Sequence, residues 1–163
     1  MKRFPKLELL IGIAACVLIW LLGYPQYREK VTMSKLYHVK VNAYTLRAAI
    51  EKYAAYNEGN FPVKVEEFGE FFTPLVNPYT NKPVTGSEIK VFQYDSRGES
   101  KEQSPTSENG RLRGAPGTLA YGVFIGPGDE YPSAYGIVGF GQDNTPIAEK
   151  LPSGEVKLFV LHE

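Results

Sequence analysis

Apolar residues fall along this chain in two rhythms. From Leu9 to Tyr27, nineteen consecutive residues carry no formal charge, and aliphatic side chains occupy every face of a helix drawn through them. From Arg28 to Tyr56 the pattern narrows to a stripe. Leu36, Val39, Ala43, Leu46, Ile50 and Tyr53 step by three and four, with Lys35, Lys40, Arg47 and Lys52 mostly off it. That spacing marks one face of an α-helix packed against the rest of its own domain. No Gly or Pro interrupts residues 26–58, so the two rhythms predict a single helix from about Pro5 to Tyr56, about 78 Å long at 1.5 Å per residue. A bend is expected at Gly23-Tyr24-Pro25, because Pro25 lacks a ladder donor and crowds the preceding turn.

Beyond Tyr56 the rhythm changes to short runs and turns. Asn57-Glu58-Gly59-Asn60 supplies helix-stopping chemistry, and Phe61-Pro62 begins an extended stretch. Residues 66–76 read as a short helix with Phe68, Phe71, Phe72 and Leu75 inward and Glu66, Glu67 and Glu70 outward. Residues 77–83 are dense in turn residues, and 89–94 alternate like a strand. Residues 95–117 are polar and rich in Gly, Pro and Ser, which predicts an exposed loop. Three further strands are expected at 118–125, 135–141 and 156–161. The expected class is α+β: a long amino-terminal helix packed on a small antiparallel sheet of three to four strands. The expected organisation is a basic leader-like segment at 1–3, an apolar half-helix at 4–27, an amphipathic half at 28–58 and a globular head at 59–163.

Composition and charge sharpen this picture. The chain has 163 residues and zero formal net charge, unevenly spread. Residues 1–8 sum to +2, residues 9–58 to +3 and residues 59–163 to −5. An acidic head is not a general nucleic-acid surface. The single cysteine, Cys16, has no intrachain partner, so the head depends on its apolar core. The uncharged run is about 28 Å long as a helix, close to the hydrocarbon thickness of a bilayer. Lys2, Arg3 and Lys6 precede it, which keeps the amino terminus cytoplasmic and places the head outside the membrane.

Three readings of the amino terminus compete. A cleaved secretory signal fits poorly, because Leu21-Leu22-Gly23-Tyr24-Pro25 offers a poor cleavage site. A lipoprotein anchored at Cys16 has the small residues Ala14-Ala15 before it, but residues 17–22 continue the apolar run beyond it. The third reading is a retained single-pass anchor.

Residues that carry reaction chemistry are sparse. His38 and His162 are the only histidines and lie far apart in the chain. Gly126-Pro127-Gly128 is followed by Asp129-Glu130, where a phosphate loop would want lysine. Neither catalytic residues nor a cofactor are expected, and the chain does not read as an enzyme.

The junction Phe4-Pro5-Lys6-Leu7-Glu8, followed by the apolar run and then Pro25-Gln26-Tyr27, resembles the type IV pilin and type II secretion pseudopilin superfamily. Residues 53–62 resemble that family's exit from its first helix, and residues 75–84 the segment that follows. The resemblance implies a structural subunit, major or minor, of a type IV pilus or of a secretion or DNA-uptake pseudopilus. Its partners would be other pilin-like subunits, the inner-membrane assembly machinery and the bilayer. Glu8 would set subunit register, pairing in a desolvated bundle with the Phe4 amine of a cleaved neighbour, with Lys6, or with an uncleaved leader carrying Arg3. A carboxylate at a helix start, reaching headgroup water, explains the same residue without assembly. Arg3 stands where the family has glycine, which argues against cleavage by a prepilin peptidase and methylation of Phe4. It favours the alternative of an uncleaved, membrane-anchored accessory protein. Some major pseudopilins hold calcium in a late loop, which makes Asp129, Glu130, Asp143 and Asn144 weak calcium candidates. Ordinary turn chemistry accounts for the same letters, and no metal is expected.

Overall fold

The computed structural model describes residues 6–94 and 103–163, and only the backbone of Lys6, Leu7, Glu8 and Gln93. Helix α1 runs Lys6–Tyr56 and contains Pro25 without interruption of its assignment. The chain divides into two compact units, Met1–Ser34 and Lys35–Glu163. The first is helical throughout its described residues.

The second unit is α+β. After α1 come a 3-10 helix, Val65–Phe71, and strands β1 (Leu75–Val76), β2 (Pro83–Val84) and β3 (Lys90–Gln93). A single helical turn, Glu108–Arg111, precedes β4 (Leu119–Phe124) and β5 (Ala134–Gly139). Strands β6 (Ala148–Lys150), β7 (Val156–Leu158) and β8 (Val160–His162) complete the order. The main sheet is ordered β3-β4-β5-β8, with β1-β2 and β6-β7 as separate two-stranded ribbons.

Packing follows the alternation of strand side chains. Leu119 and Tyr121 of β4, Tyr135 and Ile137 of β5, and Leu161 of β8 join Val39, Ala43, Leu46 and Ile50 of α1 in one buried cluster. Leu36 and Tyr53 flank it, half-buried. Close approach is possible because β5 ends in Gly139, where a Cβ would stand 2.7 Å from a Val39 methyl. The opposite face has its own core of Tyr94, Ala120, Val138, Phe140, Leu158 and Val160. There the Phe92 and Tyr94 rings lie over Gly122 and Gly136, at 2.5 Å from where a Cβ would be.

Several elements differ from expectation. The short helix expected at 66–76 is a 3-10 helix ending at Phe71, and Leu75–Val76 is a strand instead. Gly69 weakens the helix, and Pro74 drives the residue before it towards extended backbone. Strand β3 runs parallel to β4, so the sheet is mixed at that edge. The long connection between them supplies the length a parallel crossover needs. Of the loop expected at 95–117, residues 95–102 lie outside the described residues, while 103–117 is exposed at positions such as Pro105, Thr106, Glu108, Arg111, Arg113 and Ala115 and packed at others. Asn109 is buried, and Leu112 joins the second core. Gly117, at φ +80°, donates its N–H to the Phe140 carbonyl. The strand expected at 156–161 breaks at Phe159. Its first part pairs with β6, which the sequence reading missed, and its second with β5.

Two buried tyrosines bind the layers together. The Tyr121 hydroxyl donates to the Pro62 carbonyl at 2.6 Å, and the Tyr135 hydroxyl to Glu51 Oε1 at 3.4 Å. Burial pushes both phenols well above the ordinary tyrosine range, and for Tyr135 the Glu51 carboxylate adds to it. A raised folded-state pKa means this stabilisation is complete below pH 10, the unfolded value, and is lost as pH rises beyond it. Denaturation midpoints followed from pH 8 to 12 should therefore fall steeply above pH ~10. The Tyr135→Phe variant should show a shallower fall.

The helix face gives a second test. Ile50→Asp places an unpaired carboxylate in the core and should cost several kcal/mol, ~3 or more. Lys52 is exposed, with its ammonium 5.3 Å from the Phe71 ring centre, so Lys52→Asp should cost about 1 kcal/mol or less. Thermal melts of the detergent-solubilised chain compare the two, and equal shifts would contradict this assignment of faces.

Candidate functional site: the apolar half of the first helix

Between Leu9 and Leu22, helix α1 exposes nine large aliphatic side chains: Leu9, Leu10, Ile11, Ile13, Val17, Leu18, Ile19, Leu21 and Leu22. Isolated exposed leucines are ordinary, but a continuous apolar surface of this kind marks an interaction site. At ~1.5–3 kcal/mol for each side chain removed from water, covering it is worth on the order of 20 kcal/mol. The segment is long and apolar enough to cross a membrane, by length and composition.

Helix α1 is described from Lys6 onward, and the backbone of Glu8 is helical. The Glu8 side chain, and Arg3 and Phe4 entirely, lie outside the described residues. Gly23 and Pro25 are both helical, and at Pro25 the Leu21 carbonyl loses its usual i+4 donor for want of an N–H. Cys16 is a free, exposed thiol in mid-helix. The helix continues beyond it for forty further residues, to Tyr56.

The four calcium candidates lie in polar turns of the head. Among the described residues, no group of three or more His, Cys, Asp or Glu side chains is placed to hold a metal ion. The four calcium candidates do not gather. Asp129 and Glu130 lie in the turn before β5, and Asp143 and Asn144 in the turn after it. Six strand residues, about 20 Å, separate the two turns. Asp143 is engaged locally, accepting from the Thr145 hydroxyl at 2.6 Å and the Thr145 N–H at 3.3 Å. The hydroxyl bond, ahead of the backbone bonds, holds its carboxyl below the usual aspartate value. Asn77 is an organising residue that the sequence reading treated only as turn chemistry. Its Oδ1 accepts from the Tyr79 and Thr80 N–H groups, and its Nδ2 donates to the Pro116 carbonyl. An asparagine opening a Pro- and Thr-rich turn was the available signal.

No protein-family model, curated protein or solved structure matches this chain.

The thiol inside the apolar surface provides a direct test of coverage. In intact membranes Cys16 should resist a membrane-impermeant maleimide, and denaturation in SDS should make it react fully. Labelling in intact membranes would mean the segment is not covered by lipid or protein. A thiol that stays unreactive after denaturation in SDS would indicate modification at Cys16.

Proposed function

We propose that this chain is a membrane-anchored, pilin-like assembly subunit, major or minor, of a type IV pilus or of a secretion or DNA-uptake pseudopilus. The observation that carries the reading is the uncovered apolar half-helix, with Glu8 at its leading end and the amphipathic half of the same helix embedded in an α+β head. The resemblance of residues 4–27 to pilin amino termini supports it. The chain acts by association with other pilin-like subunits, as a homo- or hetero-polymer, rather than by catalysis. The apolar surface rests in lipid with the amino terminus cytoplasmic, then moves into a bundle of neighbouring helices, where it stays out of water. Glu8 is the one acidic group at the edge of that surface, and leaving it unpaired in a bundle is unfavourable by several kcal/mol, so pairing it selects one axial register.

A second reading is favoured by Arg3, which replaces the glycine of the family's processing site. An uncleaved chain would keep its leader and act as a membrane-anchored accessory to assembly.

Glu8 separates the two. For the assembly subunit, Glu8→Ala and Glu8→Gln should leave membrane levels unchanged while lowering recovery in sheared surface fractions by tenfold or more, ~1.4 kcal/mol or above per subunit. An accessory protein predicts normal function in both variants. The intact mass of the membrane-extracted protein, starting at Met1 or at a methylated Phe4, reports processing in the same sample.

A further inference from the structure

One face of the membrane-length segment carries a ladder that neither helix propensity nor bundle packing requires. Trp20 and Tyr24, one turn apart, are stacked with ring centres 5.2 Å apart and planes 17° from parallel. One turn further, the Arg28 guanidinium carbon stands 5.8 Å from the centre of the Tyr24 ring. All three lie within the amino-terminal unit, and both rings are exposed, Trp20 by 62% and Tyr24 by 45%. Amphipathic rings ending in a cation match the chemistry of a membrane–water boundary, where ring faces meet acyl chains and the cation meets phosphate.

Two further observations place the boundary at the same level. Pro25 deprives the Leu21 carbonyl of its i+4 donor, and an unpaired carbonyl is costly deep in hydrocarbon but readily hydrated near headgroups. The distance also fits. Lys6 to Tyr24 is about 27 Å of helix, and Arg28 lies about 6 Å beyond, so a bilayer core of about 30 Å puts Lys6 at one boundary and Tyr24 at the other.

We propose that Trp20, Tyr24 and Arg28 form a headgroup anchor that seats the helix at a fixed depth, with Arg28 on an outer-leaflet lipid phosphate. The proposal rests on the membrane span in the reading above and not on filament assembly. Its consequence is that the Glu8 backbone is held about one turn or less inside the opposite boundary, within side-chain reach of headgroup water before assembly. Centring the uncharged run in the bilayer instead would draw Tyr24 several ångströms deeper.

The chain carries its own reporter, because Trp20 is the only tryptophan. The full chain is reconstituted in phosphatidylcholine vesicles carrying quenchers at graded depths, from headgroup to acyl-chain end. Alongside it is the double variant Trp20→Phe, Tyr24→Trp, which moves the reporter to position 24. Position 24 should be quenched most by labels at the headgroup or first chain carbons, and native Trp20 about 6 Å deeper. Arg28→Gln should move position 24 towards the bilayer centre by about one turn, ~5 Å. In vesicles of a phosphate-free glycolipid, Arg28→Gln should cause no such movement.

Strongest quenching of position 24 at the bilayer centre overturns the anchor. An Arg28→Gln shift that is absent in phospholipid, or equal in glycolipid, overturns phosphate as the ligand of Arg28. Failure of every lipid quencher to reach either position means that protein covers the ladder, and the proposal falls. A failure of the assembly reading shows in the Glu8 variants and leaves these depths unchanged.

Discussion

The head is organised by the contact between α1 and the strand pair β4-β5. Val39, Ala43, Leu46 and Ile50 are fully buried against Leu119, Tyr121, Tyr135 and Ile137. Small residues govern how closely these layers approach. Ala43 adds only a methyl at the centre of the helix face, and Gly139 leaves room for Val39. Because Cys16 is the only cysteine, no intrachain disulfide shares in holding the head, so packing and its few buried hydrogen bonds do so. The Tyr121 and Tyr135 hydroxyls matter here because they satisfy polar atoms at the margin of an apolar layer.

A sheet covered on one face only would show apolar alternation, yet β4 and β5 bury both faces. Ala120, Val138 and Phe140 require a second cover, and the segment after residue 103 contributes to it through Leu112. That segment is fixed by backbone contacts: Leu158 donates its N–H to the Gln103 carbonyl, and Gly114 to the Asn144 carbonyl. The β6-β7 ribbon is tied in turn to the helix, since Glu149 pairs with Lys40, whose ammonium also lies 5.1 Å from the centre of the Phe159 ring. Covering the far face and allowing a parallel edge strand have one cause, the long connection between β3 and β4.

What was legible in the sequence is what periodicity encodes. The helix stripe, the α+β class and strands β4 and β5 follow from apolar spacing, because burial there depends on side chains. The packed positions within 103–117 were hidden because glycine and asparagine hold them: Gly114 allows the Phe140 ring close, and Asn109 is buried. The break at Phe159 was hidden for another reason. A run of alternating residues does not reveal that its two halves pair with different partners. At the apolar surface, the extent of the helix was legible from composition, whereas the stacking of Trp20 on Tyr24 depends on side-chain placement that spacing only permits. The dispersal of the four calcium candidates follows from tertiary placement, since residues fourteen apart in sequence are separated by the length of β5.

The two units meet different demands through one element. Residues 35–56 of α1 are fixed by a core that needs nothing from the segment before them, as the complete burial of Val39, Leu46 and Ile50 indicates. On the proposed assembly reading, the apolar segment would exchange lipid for a helix bundle without requiring the head to unfold. For its aliphatic side chains the exchange is close to neutral, because lipid and a helix bundle exclude water alike. The groups that feel the difference are polar: Glu8 at one end, the Leu21 carbonyl and Arg28 at the other. On that reading, selectivity between lipid and bundle would reside in these few groups, with the aliphatic surface supplying most of the driving force out of water.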